Sequence, residues 1–143
     1  MALEDKDPLM TFDVDEKVAA TIRAQLEDDK LPCAVAFAIA EAGAASPAQI
    51  GRTADALQIR LSRCQLGLFG YPGKQGWAEA GVSDLTPPVG LEAAIQEVAN
   101  AKGQIACARL WTLAEQFACS RMLVGYLADA LDIQIVACQL GAF

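Results

Sequence analysis

The sequence has 143 residues, 54% of them apolar and 20% charged, with a formal net charge of −7. Such a composition supplies a buried core and excludes a disordered chain, while the length allows one ordinary domain or two very small ones. The acidic balance of the chain as a whole speaks against nonspecific nucleic-acid binding, because phosphate contacts need local cations.

In chain order, the first helix is predicted to begin near Asp13, an N-cap with Glu16 three residues on. It carries Val18, Ile22 and Leu26 on one stripe and ends in the acidic EDDK. Leu31 to Cys33 reads as a short extended piece with Pro32 at the entry to a second helix, whose inner face is Cys33, Phe37, Ala40 and Ala44. Ser46 opens a third helix, with Pro47 at its first position and Gln49 completing a capping box; Ile50, Ala54 and Leu57 face inward. From Ile59 through RCQLGLFGY the apolar alternation predicts a strand, and YPGKQG a turn. WAEAGVSDLTPPVG (77–90) reads as a connection, with Pro87 and Pro88 starting the next helix over VGLEAAIQEVA (89–99). Gln104 to Cys107 is again extended, and Cys107, Trp111, Ala114 and Ala118 share a helical face before a further helix and a closing ACQLGAF.

The second series repeats the first. At an offset of 74, Leu31–Phe69 aligns without a gap to Ile105–Phe143, and 17 of the 39 positions are identical. Five are Ala on Ala, which this alanine-rich chain gives cheaply. Twelve remain, among them Cys33/Cys107, Glu41/Glu115, Gly51/Gly125, Asp55/Asp129 and Gln65/Gln139, and they require an internal duplication. The predicted fold class is therefore mainly α with small β elements, in two related modules: residues 1–77, and residues 78–143 comprising a linker and the second module.

The order helix, short strand, helix, tight turn, helix, strand, turn resembles the winged-helix form of the helix-turn-helix superfamily. The residues that carry the resemblance are AEAGAASPAQIGRTADAL (40–57) and AEQFACSRMLVGYLADAL (114–131). Ala40 or Ala114 takes the small-residue position where two helices cross, Ala44 or Ala118 the turn, and Ile50 or Val124 the inward aliphatic position. A departure is alanine where the turn more often has glycine. The resemblance implies tandem winged-helix-like modules, with the third helix of a module and the following wing facing the major groove and flanking phosphates.

Charge distinguishes the copies. Residues 47–76 hold Arg52, Arg60, Arg63 and Lys74 against Asp55 alone, net +3, whereas residues 1–31 are net −5 and residues 77–143 net −4. The expected DNA-contacting set in module 1 is thus Arg52, Arg60, Arg63 and Lys74 for phosphates, with Gln49 and Thr53 as readers of base edges; ordinary surface charge is the competing reading. In the second copy Gln49, Arg52 and Thr53 are replaced by Leu123, Tyr126 and Leu127. MLVGYLA is apolar on almost every face, so Met122, Leu123, Tyr126 and Leu127 are expected to pack on the first copy or on a second chain. The second copy is also expected to lack a wing, its CQLGAF corresponding to the last core strand.

Enzymatic chemistry is not expected. The chain has no histidine, no P-loop and no GxGxxG, so the Ser/His and Cys/His nucleophile arrangements and His-containing metal sites are excluded. The five cysteines form no CxxC pair and sit in apolar surroundings, which predicts buried thiols rather than metal ligands or disulfides. No cofactor and no metal are expected. Gln65/Gln139 are expected to bond nearby backbone and Gly67/Gly141 to permit a bulge or a close approach. The acidic start MALEDKDPLM lacks the order of a secretory signal, and Glu41, Arg52 and Asp55 break the longest apolar stretch, so a cytoplasmic protein without a membrane span is expected. The functional expectation is a transcriptional-regulator-like protein binding double-stranded DNA as a homodimer with two half-sites. Its alternatives are a protein-interaction adaptor built from tandem winged helices and a cysteine-based metal or redox sensor.

Overall fold

The computed structural model describes residues 13–43, 45–71 and 76–143. It is mainly helical with two small sheets. The elements are α1 (Glu16–Ala24), β1 (Leu31–Pro32), α2 (Cys33–Glu41), α3 (Pro47–Ala56), β2 (Leu61–Ser62), α4 (Gly76–Ala80), a 3-10 turn (Val82–Asp84), α5 (Leu91–Val98), β3 (Gln104–Ala106), α6 (Cys107–Gln116), α7 (Arg121–Ala130) and β4 (Gln134–Val136). The order α, β, α, α, β occurs twice, and in each occurrence the two short strands pair in parallel: Leu31 with Leu61, and Gln104 with Gln134. No described helix is long and apolar enough to cross a membrane.

Contacts divide the chain into two compact units, Met1–Cys64 with Gln139–Phe143, and Gln65–Cys138. This differs from the boundary expected between residues 77 and 78. Each unit takes in the CQLG phrase of the other repeat from its glutamine onward.

Unit 1 is built on Val18, Ala19 and Ile22 of α1, Ala36 and Ile39 of α2, and Ile50 and Ala54 of α3, all buried. The N-cap of α1 is Asp15 rather than Asp13, because its carboxylate accepts from the Lys17 and Val18 amides at 2.8 and 3.4 Å. Leu26 lies beyond the helix and is only half-buried. The loop to β1 turns at Asp28 and Asp29, both with positive φ, and Glu27 and Lys30 exchange backbone hydrogen bonds across it. Along α2 the buried residues are Cys33, Ala36 and Ile39, while Phe37 and Ala40 sit half-buried on the shoulder. The predicted face of Cys33, Phe37 and Ala40 thus gives way to one of Cys33, Ala36 and Ile39. At the end of α2 the left-handed residue is Gly43 (φ 89), whose amide donates to Ala40 O; Ala44, the expected turn position, lies outside the described residues. Ser46 caps α3 as expected: its Oγ accepts from the Gln49 amide, and Gln49 Oε1 accepts from the Ser46 amide. The helix closes in a Schellman arrangement, with Ile59 N donating to Ala54 O and Gln58 (φ 59) N donating to Asp55 O.

Unit 2 repeats the pattern. Leu91 and Ile95 of α5, Leu110 and Leu113 of α6, and Val124 and Ala128 of α7 are buried. Trp111, expected on the inner face, is half-buried, and Leu110 and Leu113 take the inner positions. The connection 77–90 is more structured than expected: α4 and the 3-10 turn bury Trp77 and Val82, and α5 starts after Gly90 (φ 86) rather than at the prolines. The α6–α7 turn is another Schellman closure, Cys119 N donating to Ala114 O and Ala118 N to Glu115 O, with Ala118 itself at φ 52. A left-handed alanine costs about 1–2 kcal/mol and glycine does not, though glycine gives back part of this in the unfolded chain. Ala118→Gly should therefore stabilise by about 0.5–1 kcal/mol, seen as a higher urea midpoint at unchanged slope; a lower midpoint counts against the strain.

Candidate nucleic-acid interface

The candidate residues of unit 1 lie on α3 and just beyond it. Ala48 and Gln49 are exposed in the first turn, and Arg52 and Asp55, three residues apart on the same helix, are half-buried. Arg60 and Arg63 are exposed. The Arg60 carbonyl accepts from Leu31 N at 2.8 Å, so its backbone is held by the strand pair, and Arg63 has a left-handed backbone, φ 46, directly after β2. Lys74 lies outside the described residues.

Two expectations for α3 are corrected. Thr53 is only 2% exposed and donates its hydroxyl to Gln49 O at 2.7 Å, so it is no reader of base edges. The Gln49 side chain is engaged in the capping box, leaving its amide group held against the helix end. The helix is also covered at Gly51, where the backbone of Leu140 occupies the place a Cβ would take: Leu140 C would lie 2.7 Å and Leu140 Cα 3.1 Å from it. The outward face of α3 is therefore narrow, bounded by Ala48, Gln49 and Arg52.

The expected packing residues of α7 fall inside unit 2. Leu123 and Leu127 are buried, and Met122 and Tyr126 are half-buried. Gly125 is the counterpart of Gly51: a Cβ there would meet the carbonyl oxygen of Leu66, with Leu66 C at 2.9 Å and Cα at 3.0 Å. Trp77 donates its indole N–H to Leu66 O at 2.7 Å and meets Tyr126 edge to face, centroids 5.8 Å apart at 73°. Met122 Cε would lie 2.5 Å from a Cβ on Gly76, and Met122 Sδ 3.1 Å from one on Gly67. Leu66, Gly67, Gly76 and Trp77 of this chain thus lie against the apolar face of α7.

The phrase CQLGLF itself is a turn, not a strand. β2 ends at Ser62 and the left-handed Arg63 breaks the extended run; Gly67 (φ 87) then turns the chain after Leu66, which is fully buried. The second phrase follows suit with Ala137 (φ 53), buried Leu140 and Gly141 (φ 82). Gln65, expected to serve nearby backbone, accepts from Arg121 Nη1, 56 residues away. The Arg121 guanidinium also stacks on Trp111, its carbon 3.6 Å from the ring centroid. Sequence reading missed this arginine, for no local pattern joins the first residue of α7 to α6 and to a distant turn.

Cys33, Cys64 and Cys107 are buried, and Cys119 and Cys138 half-buried. Burial pushes the Cys119 thiol up, which keeps it protonated near neutral pH. Among the described residues no cluster of three or more Cys, Asp or Glu side chains has the geometry to hold a metal ion. In comparisons with known proteins no family model, no curated protein and no solved structure matches the chain.

Proposed function

We propose that the chain is a DNA-binding protein of the winged-helix kind, with two tandem modules of which the first meets the duplex. The observation that carries the reading is the run of cations along residues 52–63: Arg60 and Arg63 are exposed shortly after α3, with Arg52 half-buried on the helix and Gln49 exposed in its first turn. The helix–turn–helix order of α2 and α3, with its Gly43 turn and Ser46 cap, supports it further. Thr53 drops out of the contact set. With Gln49 held in its cap, the contacts are mainly to phosphate, which position a protein without specifying sequence. Three cations give a salt slope, d log K/d log[salt], of about −2.7 at roughly 0.9 per phosphate neutralised.

The test is fluorescence anisotropy of the protein with pooled duplex fragments over a salt series. Arg60→Glu with Arg63→Glu should abolish the anisotropy change while leaving the thermal transition in place, since both side chains are exposed. An anisotropy change that survives the double reversal overturns the reading. A protein-interaction adaptor is the second reading, favoured by the stretch from Leu85, 53% exposed, to Val89, 100% exposed, around Pro87 and Pro88. An adaptor keeps its activity through the arginine reversals and loses it with Leu85→Asp and Val89→Asp.

A further inference from the structure

Each repeat contains one donor and one receiver. The donor is the turn Gln-Leu-Gly, at 65–67 and 139–141; the receiver is the helix glycine, Gly51 in α3 and Gly125 in α7. Leu66 does not return to Gly51, 15 residues before it in its own repeat. It seats on Gly125, while Leu140 seats on Gly51. Both donors bury their leucine, at 0% and 3% exposure, and both turn on a left-handed glycine, φ 87 and φ 82. Unit 1 is thus completed by a segment, Gln139–Phe143, that all of unit 2 separates from its remaining residues.

We infer that the Gly51 face of unit 1 is a docking site for the residue 139–143 segment of a second copy of this chain, so that two chains can pair by exchanging these segments. Nothing in the seat depends on covalent continuity: it consists of a buried leucine and a backbone carbonyl set against a glycine. Which segment fills it is then decided by effective concentration, and a tethered segment holds an advantage on the order of millimolar. Exchange therefore needs high protein concentration or a passage through the opened state. The receiver selects its ligand sharply, since the carbonyl approach excludes any residue but glycine at position 51 and the turn needs glycine at 141. The inference stands whether or not DNA is bound.

The test uses two full-length variants. Gly51→Ala disables the receiver and keeps the donor; Leu140→Asp disables the donor and keeps the receiver. Refolded together from urea, they should form a heterodimer of twice the chain mass by light scattering, with a thermal transition above that of either variant alone. A mixture that behaves as the sum of its separately refolded parts overturns the inference. Because each substitution destabilises its own unit, the unaltered chain supplies a second measurement. Refolded at about 1 mM, the concentration at which exchange competes with the tether, it should contain dimer that is absent after refolding at a hundredfold dilution. A peptide of residues 138–143 carrying Cys138→Ser, in tenfold excess, should reduce that dimer severalfold. A chain monomeric at both concentrations, or a dimer indifferent to the peptide, also overturns it.

Discussion

Gly125→Ala should destabilise unit 2 by about 3 kcal/mol, against the usual direction of a glycine-to-alanine change inside a helix, which gains about 1 kcal/mol from helix propensity. The reason is the Leu66 backbone. Its carbonyl oxygen, its carbon at 2.9 Å and its Cα at 3.0 Å all lie against the added methyl, and a backbone segment has no rotamer by which to step aside. Either α7 shifts, which costs about 1–3 kcal/mol as overpacking, or the turn withdraws. Withdrawal exposes Leu66, worth about 2–3 kcal/mol buried, and leaves the Trp77 indole N–H without its acceptor in the interior, at about 1–3 kcal/mol. Even after the helix gain the balance is destabilising. For a chain of this size the thermal midpoint should fall by about 6–12 °C. Gly51→Ala should do the same to unit 1 through Leu140. An unchanged or raised midpoint in both variants would mean that propensity alone governs these positions and that the close approaches hold nothing.

These two glycines show how far the sequence could be read. Their recurrence at the same place in both repeats was visible, and an isolated glycine within a helical pattern signals a close approach by something. What approaches was not visible, since Leu140 is 89 residues from Gly51 and Leu66 is 59 from Gly125. The same blindness misjudged Thr53: on α3 alone it falls on the polar side, yet its hydroxyl folds back to Gln49 O and the residue is buried. Local signals fared better where the chemistry is local. Ser46, Pro47 and Gln49 announced their cap, and Ile50 and Ala54 their inward face, because capping and helical periodicity involve neighbours within four residues. CQLGLF misled for a definite reason. Its apolar alternation copies the period of a strand, but the left-handed backbone at Arg63 and Gly67 leaves only Leu61–Ser62 in the ladder. The covering of α3 at Gly51 by the Leu140 backbone is likewise something no periodicity within residues 46–57 records.

Trp77→Ala should cost unit 2 about 4 kcal/mol or more, in the range of large aromatic truncations, whereas Trp77→Phe should cost about 1–3 kcal/mol. The difference separates two contributions. Phenylalanine keeps most of the buried area and the edge contact to Tyr126, and removes only the N–H that Leu66 O accepts at 2.7 Å. Alanine removes the filling as well, beside a Gly67 that has no side chain to relax into the space. Tyr126→Leu should subtract about 0.5–1.5 kcal/mol, the worth of the aromatic pair beyond its area, and should subtract less once Trp77 is already alanine. Trp77 can be watched directly, because the chain holds only two tryptophans. In a Trp111→Phe background its emission should be blue-shifted, as befits an indole 5% exposed, and should move to the red in Gly125→Ala as the Leu66 turn lifts away. Emission that stays in the blue while the midpoint falls would mean that α7 moves and the turn remains seated. If instead Trp77→Ala melts with the unaltered chain, Leu66 and Trp77 do not belong to the cooperative core of unit 2, and the seat on Gly125 is not what completes it.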